Sequence, residues 1–164
     1  MGGSGLLINP NYVEAENQTR EVQDAAHRIG QGILISKAGT DRELDSTFAA
    51  FIEQRIEALL VCSDPFFDTG RDIIAFATQS RIPAIYQFRE YALAGGLMSY
   101  GISLTEEYRQ VGIYAGQILK GTKPAELPIQ QSIKFEFVIN AKTAKALGLE
   151  MPPTVLARAD EVIE

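Results

Sequence analysis

Four short apolar runs, GLLIN, GILIS, ALLVCS and IPAIYQF, recur along the first half of the chain, with stretches of helical period between them. This alternation narrows the possible folds more than any other feature. A strand that is apolar on both sides needs cover on both faces, and parallel neighbours joined by helices supply it. The spacing therefore predicts an α/β fold: a three-layer parallel sheet with helices on both faces, flavodoxin-like.

The strands are expected at residues 5–9, 32–36, 58–63 and 82–88. Between them, a helix over 13–29 carries Val22, Ala26 and Ile29 on one face and is closed by Gly30. Thr40 and Glu43 stand at capping-box spacing before a second helix, whose stripe is Leu44, Phe48, Phe51, Ile52 and Ile56. Asp68 is placed to cap a third, carrying Ile73, Ile74 and Ala77.

After Gly95 and Gly96 the rhythm changes. A glycine-flanked strand is expected over 97–100. A helix capped by Ser103 and Glu106 then runs to Leu119, with Tyr108, Val111, Ala115 and Ile118 on one face. A proline-marked connection, 120–131, leads to a half-exposed strand over 133–140, where Phe135 and Phe137 alternate with charged neighbours. One helix follows Asn140, and the tail after Pro152 and Pro153 reads as a further helical segment. The opening MGGSG reads as an added leader, residues 1–5, leaving 6–164 as a single lobe.

Composition restricts chemistry. The formal net charge is −6 and no basic run occurs, which argues against a nucleic-acid partner. One cysteine, Cys62, and one histidine, His27, leave almost no room for a triad or a zinc site. Cys62 reads as a buried strand thiol, and His27 as a surface group near a helix end. No GxGxxG follows the first strand, and there is no Walker-type loop or metal-loop spacing of acids. No catalytic residue, metal or cofactor is expected.

Ligands of open parallel sheets bind beyond the carboxyl ends of the strands. The candidate ligand-binding residues there are Asn9 and Asn11 after the first strand, and Asp64 and Phe66 after the third. Tyr86 and Arg89 follow at the fourth, and Ser99 and Tyr100 at the fifth. The rings offer stacking area, Arg89 could clasp a carboxylate, and Asp64 could take an ammonium. The bland alternatives are that Phe66 packs under its own loop, Asp64 caps a helix, Arg89 forms a surface ion pair and Tyr100 is core.

The stretches DPFFDTGRD, IPAIYQFREYALAGGLMSYG, YRQVGIYAGQILKGTKPAELPIQQ and KFEFVINAKTAKALGLEMPPTVLARADEVIE resemble the ABC transporter substrate-binding proteins of bacteria, in the branch with tryptophan- and tyrosine-type binders. The resemblance implies a type I periplasmic binding protein fold, with two α/β lobes and a ligand cleft between them. It implies non-catalytic binding of a small solute, an aromatic or branched amino acid or similar carboxylate, and delivery to an ABC permease. Members of this kind are about twice as long and carry a secretory or lipoprotein signal, so the chain looks like the C-terminal lobe. Its full-length parent would be periplasmic or lipid-anchored, and this chain a cytoplasmically expressed piece. Residues 91–131 would cross to the absent lobe and 132–164 return. The orphaned segment 91–127 would fold back, or be exchanged in a homodimer. An excised scaffold lobe without a ligand, or a sensor domain of the same fold, are the other readings.

Overall fold

The computed structural model describes residues 3–68, 71–129 and 134–164. Strand β1 (Ser4–Ile8) leads to helix α1 (Ala15–Arg28), β2 (Ile33–Lys37) and α2 (Asp41–Glu53). After β3 (Ala58–Val61) come α3 (Pro65–Asp68), α4 (Arg71–Gln79), β4 (Ala84–Tyr86) and α5 (Arg89–Leu93). Then follow β5 (Met98–Ile102), α6 (Leu104–Leu119), β6 (Phe135–Asn140), α7 (Ala141–Leu147), α8 (Pro153–Leu156) and β7 (Glu161–Ile163).

The seven strands form one sheet in the order β2-β1-β3-β4-β5-β6-β7. Five run parallel; β6 is antiparallel to β5, and β7 is parallel to β6. The first five follow the flavodoxin-like 2-1-3-4-5 order. The expected strand over 97–100 is therefore β5, and it pairs with β4 in this sheet rather than leaving it. The chain leaves the sheet after Ile102 and returns at Phe135, the register partner of Ile102.

Alternate residues of the buried strands feed two cores, as the pleat requires. Leu7, Leu59, Val61, Ala84 and Tyr86 meet Leu44, Phe48 and Phe51 of α2 and Ile73, Ile74 and Ala77 of α4. On the other face Leu6, Ile8 and Cys62 meet Ala15, with Val22 and Leu60 alongside. Ile29 and Ile52, expected on the apolar faces of their helices, are exposed.

Ser4 and Gly5, grouped on sequence with the leader, are working parts of β1. They pair with Ile33 and Leu34, and a Cβ on Gly5 would come within 2.6 Å of Ile56 Cδ1. Thr40 caps α2 by accepting from Glu43 N at 3.3 Å, and Glu43 Oε2 accepts from Gly39 N at 2.8 Å. Ser103 holds the N-cap position of α6 without a side-chain cap bond, so that expected capping box does not form. The tail carries β7 as well as the short α8, and its Asp160 Oδ2 accepts from Phe137 N at 2.8 Å. The connection between α3 and α4 at 69–70, and residues 130–133 before β6, lie outside the described residues.

The two sheet faces are covered unequally. Beside α1 the sheet lies open over Leu60 and Ile85, forming an apolar groove with Val22, Ala25 and Ile29. Helix α6 projects from the sheet with none of its residues buried, and Tyr108, Val111, Ile118 and Leu119 are exposed. No helix among the described residues is long and apolar enough to cross a membrane.

Candidate functional site

The carboxyl ends of β1, β3, β4 and β5 share one edge, and the loops after them bring the candidate residues together there. Asn9 is buried and bridges two loops: its Nδ2 donates to Asp64 Oδ1 at 3.0 Å, and its Oδ1 accepts from Asn11 N at 3.0 Å. Gly39 makes room for this bridge, because a Cβ there would lie 2.7 Å from Asn9 Oδ1. Asp64, only 3% exposed, also accepts from Phe66 N at 2.7 Å and so caps α3. Its carboxylate is thus engaged in holding the loops, and the structure favours the capping reading over ammonium binding.

Two candidates move into the core. Tyr86 is 2% exposed and stacks on Tyr91 with ring centres 4.7 Å apart. Burial pushes its phenol well above the ordinary tyrosine value. Ser99, 1% exposed, sits on the same face of β5, paired in register with Tyr86 and Val138. Both were expected at the cleft, but strand alternation points them the other way.

Arg89, at the start of α5, has its guanidinium committed to two carboxylates. It is held by Glu136 of β6 and Glu161 of β7, clamping α5 to the returning strands. The expected surface pair with Glu90 is replaced by this three-residue bridge. Phe66 is half-buried against the larger core, 5.5 Å from Phe67, which is fully buried. Asn11 is exposed.

Tyr100 is the aromatic candidate that faces outward, 57% exposed. It stacks on Phe135 at 5.7 Å and meets Phe137 edge-on at 6.2 Å, because these three share one face of the β5–β6 pair. Phe135 is itself half exposed, so the edge presents a flat aromatic wall. On sequence, Phe135 and Phe137 read only as alternation in a half-exposed strand. Their pairing with Tyr100 depends on a register that no local pattern reveals.

Beside this wall lies a cavity of about 240 Å³, bordered by Gln18, Glu21 and Val22 of α1, by Leu60 to Ser63, by Ile85 to Gln87 and by Tyr100. Gln18 Nε2 donates to Ser63 O at 3.0 Å, and Gln87 Nε2 donates to Asp68 Oδ1 at 2.9 Å. Neither glutamine stood out in the sequence, since a polar residue on a helix or at a strand end is ordinary. Tyr91 donates to Phe67 O beneath them and approaches Asp68 Oδ1 at 3.3 Å. Burial raises Asp68 above the usual carboxylate range, with the Tyr91 and Gln87 hydrogen bonds opposing. Among the described residues, no group of three His, Cys, Asp or Glu side chains is arranged to hold a metal ion.

The sequence signature of ABC transporter substrate binding proteins matches residues 4–163. Over 151 residues the chain is 23% identical to a tyrosine-binding protein of Clostridioides difficile (strain R20291), covering 89% of this chain and 42% of that protein. A conserved domain protein from Vibrio cholerae O1 biovar El Tor superposes with a TM-score of 0.85 at 24% identity, over 98% of this chain and 54% of that one. An ABC domain from Streptococcus pneumoniae, solved in complex with L-Trp, does so with a TM-score of 0.85 at 26% identity, over 99% of this chain and 56% of that one. The chain thus spans about half the length of the proteins it matches.

Proposed function

The chain belongs to the ABC transporter substrate-binding protein family, and on that premise we propose that it is one lobe of a solute-capturing component, taking one side of an aromatic amino acid at its strand-end edge. The observation that carries this reading is the outward-facing wall of Tyr100, Phe135 and Phe137 beside the cavity. A planar side chain laid on it gains apolar burial and a preferred stacking geometry. Capture proceeds without chemistry. Among the described residues the polar groups of the edge include amides, the Asp64 carboxylate occupied in capping, Glu21 and Asp68 beside the cavity, and an arginine occupied by two glutamates. In the longer protein the second lobe closes the cleft from the opposite side, and the assembly hands its solute to an ABC permease from the periplasm or a lipid anchor.

One wall of a two-walled site binds weakly, and a dissociation constant of roughly a millimolar is expected. Titration of the isotope-labelled chain with L-tryptophan, followed by NMR, tests this. Tyr100, Phe135 and Phe137 should shift, and Tyr100→Ala should weaken binding about tenfold, by the stacking energy and area it removes. Saturable shifts elsewhere, with Tyr100→Ala inert, would overturn the assignment. A second reading has its own observation: α6 carries an apolar stripe that stays exposed among the described residues. A lobe so left open could serve as a scaffold that binds no solute until its stripe is covered, and no shift at millimolar L-tryptophan is the result that favours it.

A further inference from the structure

With Asp64 engaged in capping, the proposed solute-binding reading lacks an acceptor for the ammonium of an amino acid, and two residues that border the cavity beside Tyr100 each carry a buried, unpaired amide oxygen. Gln18 is oriented by its bond to Ser63 O, and Gln87 by its bond to Asp68 Oδ1, so each amide has its nitrogen committed. The remaining oxygen of each, Oε1, is buried and without a hydrogen-bond donor among the described residues. Both residues border the same cavity of about 240 Å³. Buried carbonyl oxygens are seldom left unpaired, since losing water without gaining a donor is costly.

The rest of the lining points to the charge of the missing donor. Val22, Leu60, Ile85 and the ring of Tyr100 are apolar; Glu21 adds a carboxylate, and neither lysine nor arginine lines the cavity among the described residues. Such a surround repels an anion and favours a cation, and charge-assisted N–H to carbonyl bonds are stronger than neutral ones. The cavity is smaller than the roughly 300–1,000 Å³ of a complete ligand site, as suits one closed from a single side.

We propose that Gln18 and Gln87 read the ammonium of the bound solute, so that this edge selects primary amines with a flat apolar body over the corresponding carboxylates. The inference rests on the solute-binding reading, and the test separates the two. The side-chain amide resonances of Gln18 and Gln87, with those of Tyr100 and Phe135, are followed while the chain is titrated with L-tryptophan, tryptamine and indole-3-propionate. The two amines should shift both glutamine side chains and the aromatic wall. Indole-3-propionate should bind at least about tenfold more weakly than tryptamine and leave the glutamines unmoved. Gln18→Met and Gln87→Met, each checked for a native spectrum, should erase the preference for the amine; a merely structural role would weaken both ligands alike.

If the wall responds to all three ligands with equal affinity and the glutamines stay still, the ammonium assignment falls and the aromatic site stands. If no ligand moves any resonance, both fall. If the glutamines respond equally to amine and carboxylate, their oxygens are satisfied by water and read nothing.

Discussion

Gly101 lies where β5 passes the end of β4, and a Cβ on it would overlap the backbone carbonyl of Gln87. Backbone cannot yield as a flexible side-chain tip does, so Gly101→Ala is expected to destabilise the fold by about 1–3 kcal/mol. Gly112 in α6 has open space around it, and Gly112→Ala should be stabilising by up to about 1 kcal/mol through helix propensity alone. Thermal melts of the two variants should move in opposite directions. Cys62 is buried, and loss of solvation pushes its thiol up to about 11. At pH 8 roughly one molecule in a thousand then carries the thiolate. Iodoacetamide should label the folded chain slowly and the urea-unfolded chain readily. Asp68 has the opposite importance at low pH. Because burial raises its proton affinity in the fold, the ionised form weakens the native state as pH rises from its unfolded value of 3.8 through the folded one. Asp68→Asn, whose Oδ1 still accepts from Gln87, should raise the melting temperature at pH 7 and leave it unchanged at pH 3.

At the scale of elements, the return through β6 and α7 is what fixes α5 and β5. Asn140 caps α7 by accepting from Thr143 N at 2.9 Å, and its Nδ2 donates to Ala92 O at 2.9 Å. Thr143 Oγ1 donates to Gly95 O at 2.9 Å. Asn140→Ala removes a cap and one of the two donors to the Ala92 carbonyl, which keeps its bond from Gly95 N, and should cost about 1–2 kcal/mol, read as a lower urea midpoint at constant m. How much of this could be read beforehand varies by element. β1 to β4 were legible because each is a continuous apolar run between helical stripes. β7 was not: three residues in a charged tail carry no periodic signal, and only pairing with Val138 to Asn140 makes them a strand. Tyr86 and Ser99 were assigned to the cleft from their place in the chain, and the pleat, which turns each residue opposite to its neighbour, placed them in the core. Tyr100 was legible as an edge aromatic. Gln18 was not, because its significance lies in Ser63, which is distant in sequence and meets it only across the fold.

At the scale of the molecule, the described residues leave apolar surface open at the groove beside α1 and along the stripe of α6. Exposed patches of this kind ordinarily mark contact surfaces. Self-association at micromolar concentrations is therefore expected, visible as a rising weight-average mass in sedimentation equilibrium. Val111→Lys with Ile118→Lys should suppress it without altering the melting temperature by more than about 2 °C, since neither side chain is buried.

Ile102 and Phe135 are register partners, so the chain leaves the sheet and re-enters it at the same rung. Everything from 103 to 134 is accordingly a side circuit whose two terminals touch. Cutting it out and bridging the gap with Asn-Gly would turn β5 and β6 into an ordinary hairpin, with no strand rethreaded. A roughly sixteenfold shorter connection also lowers the closure entropy by about 2.4 kcal/mol. The trimmed chain should fold, keep the stack of Tyr100 on Phe135, and dispense with the arm. The sheet is thus complete without its arm, and the length of that arm is free to vary at a single rung while every other strand keeps its neighbours.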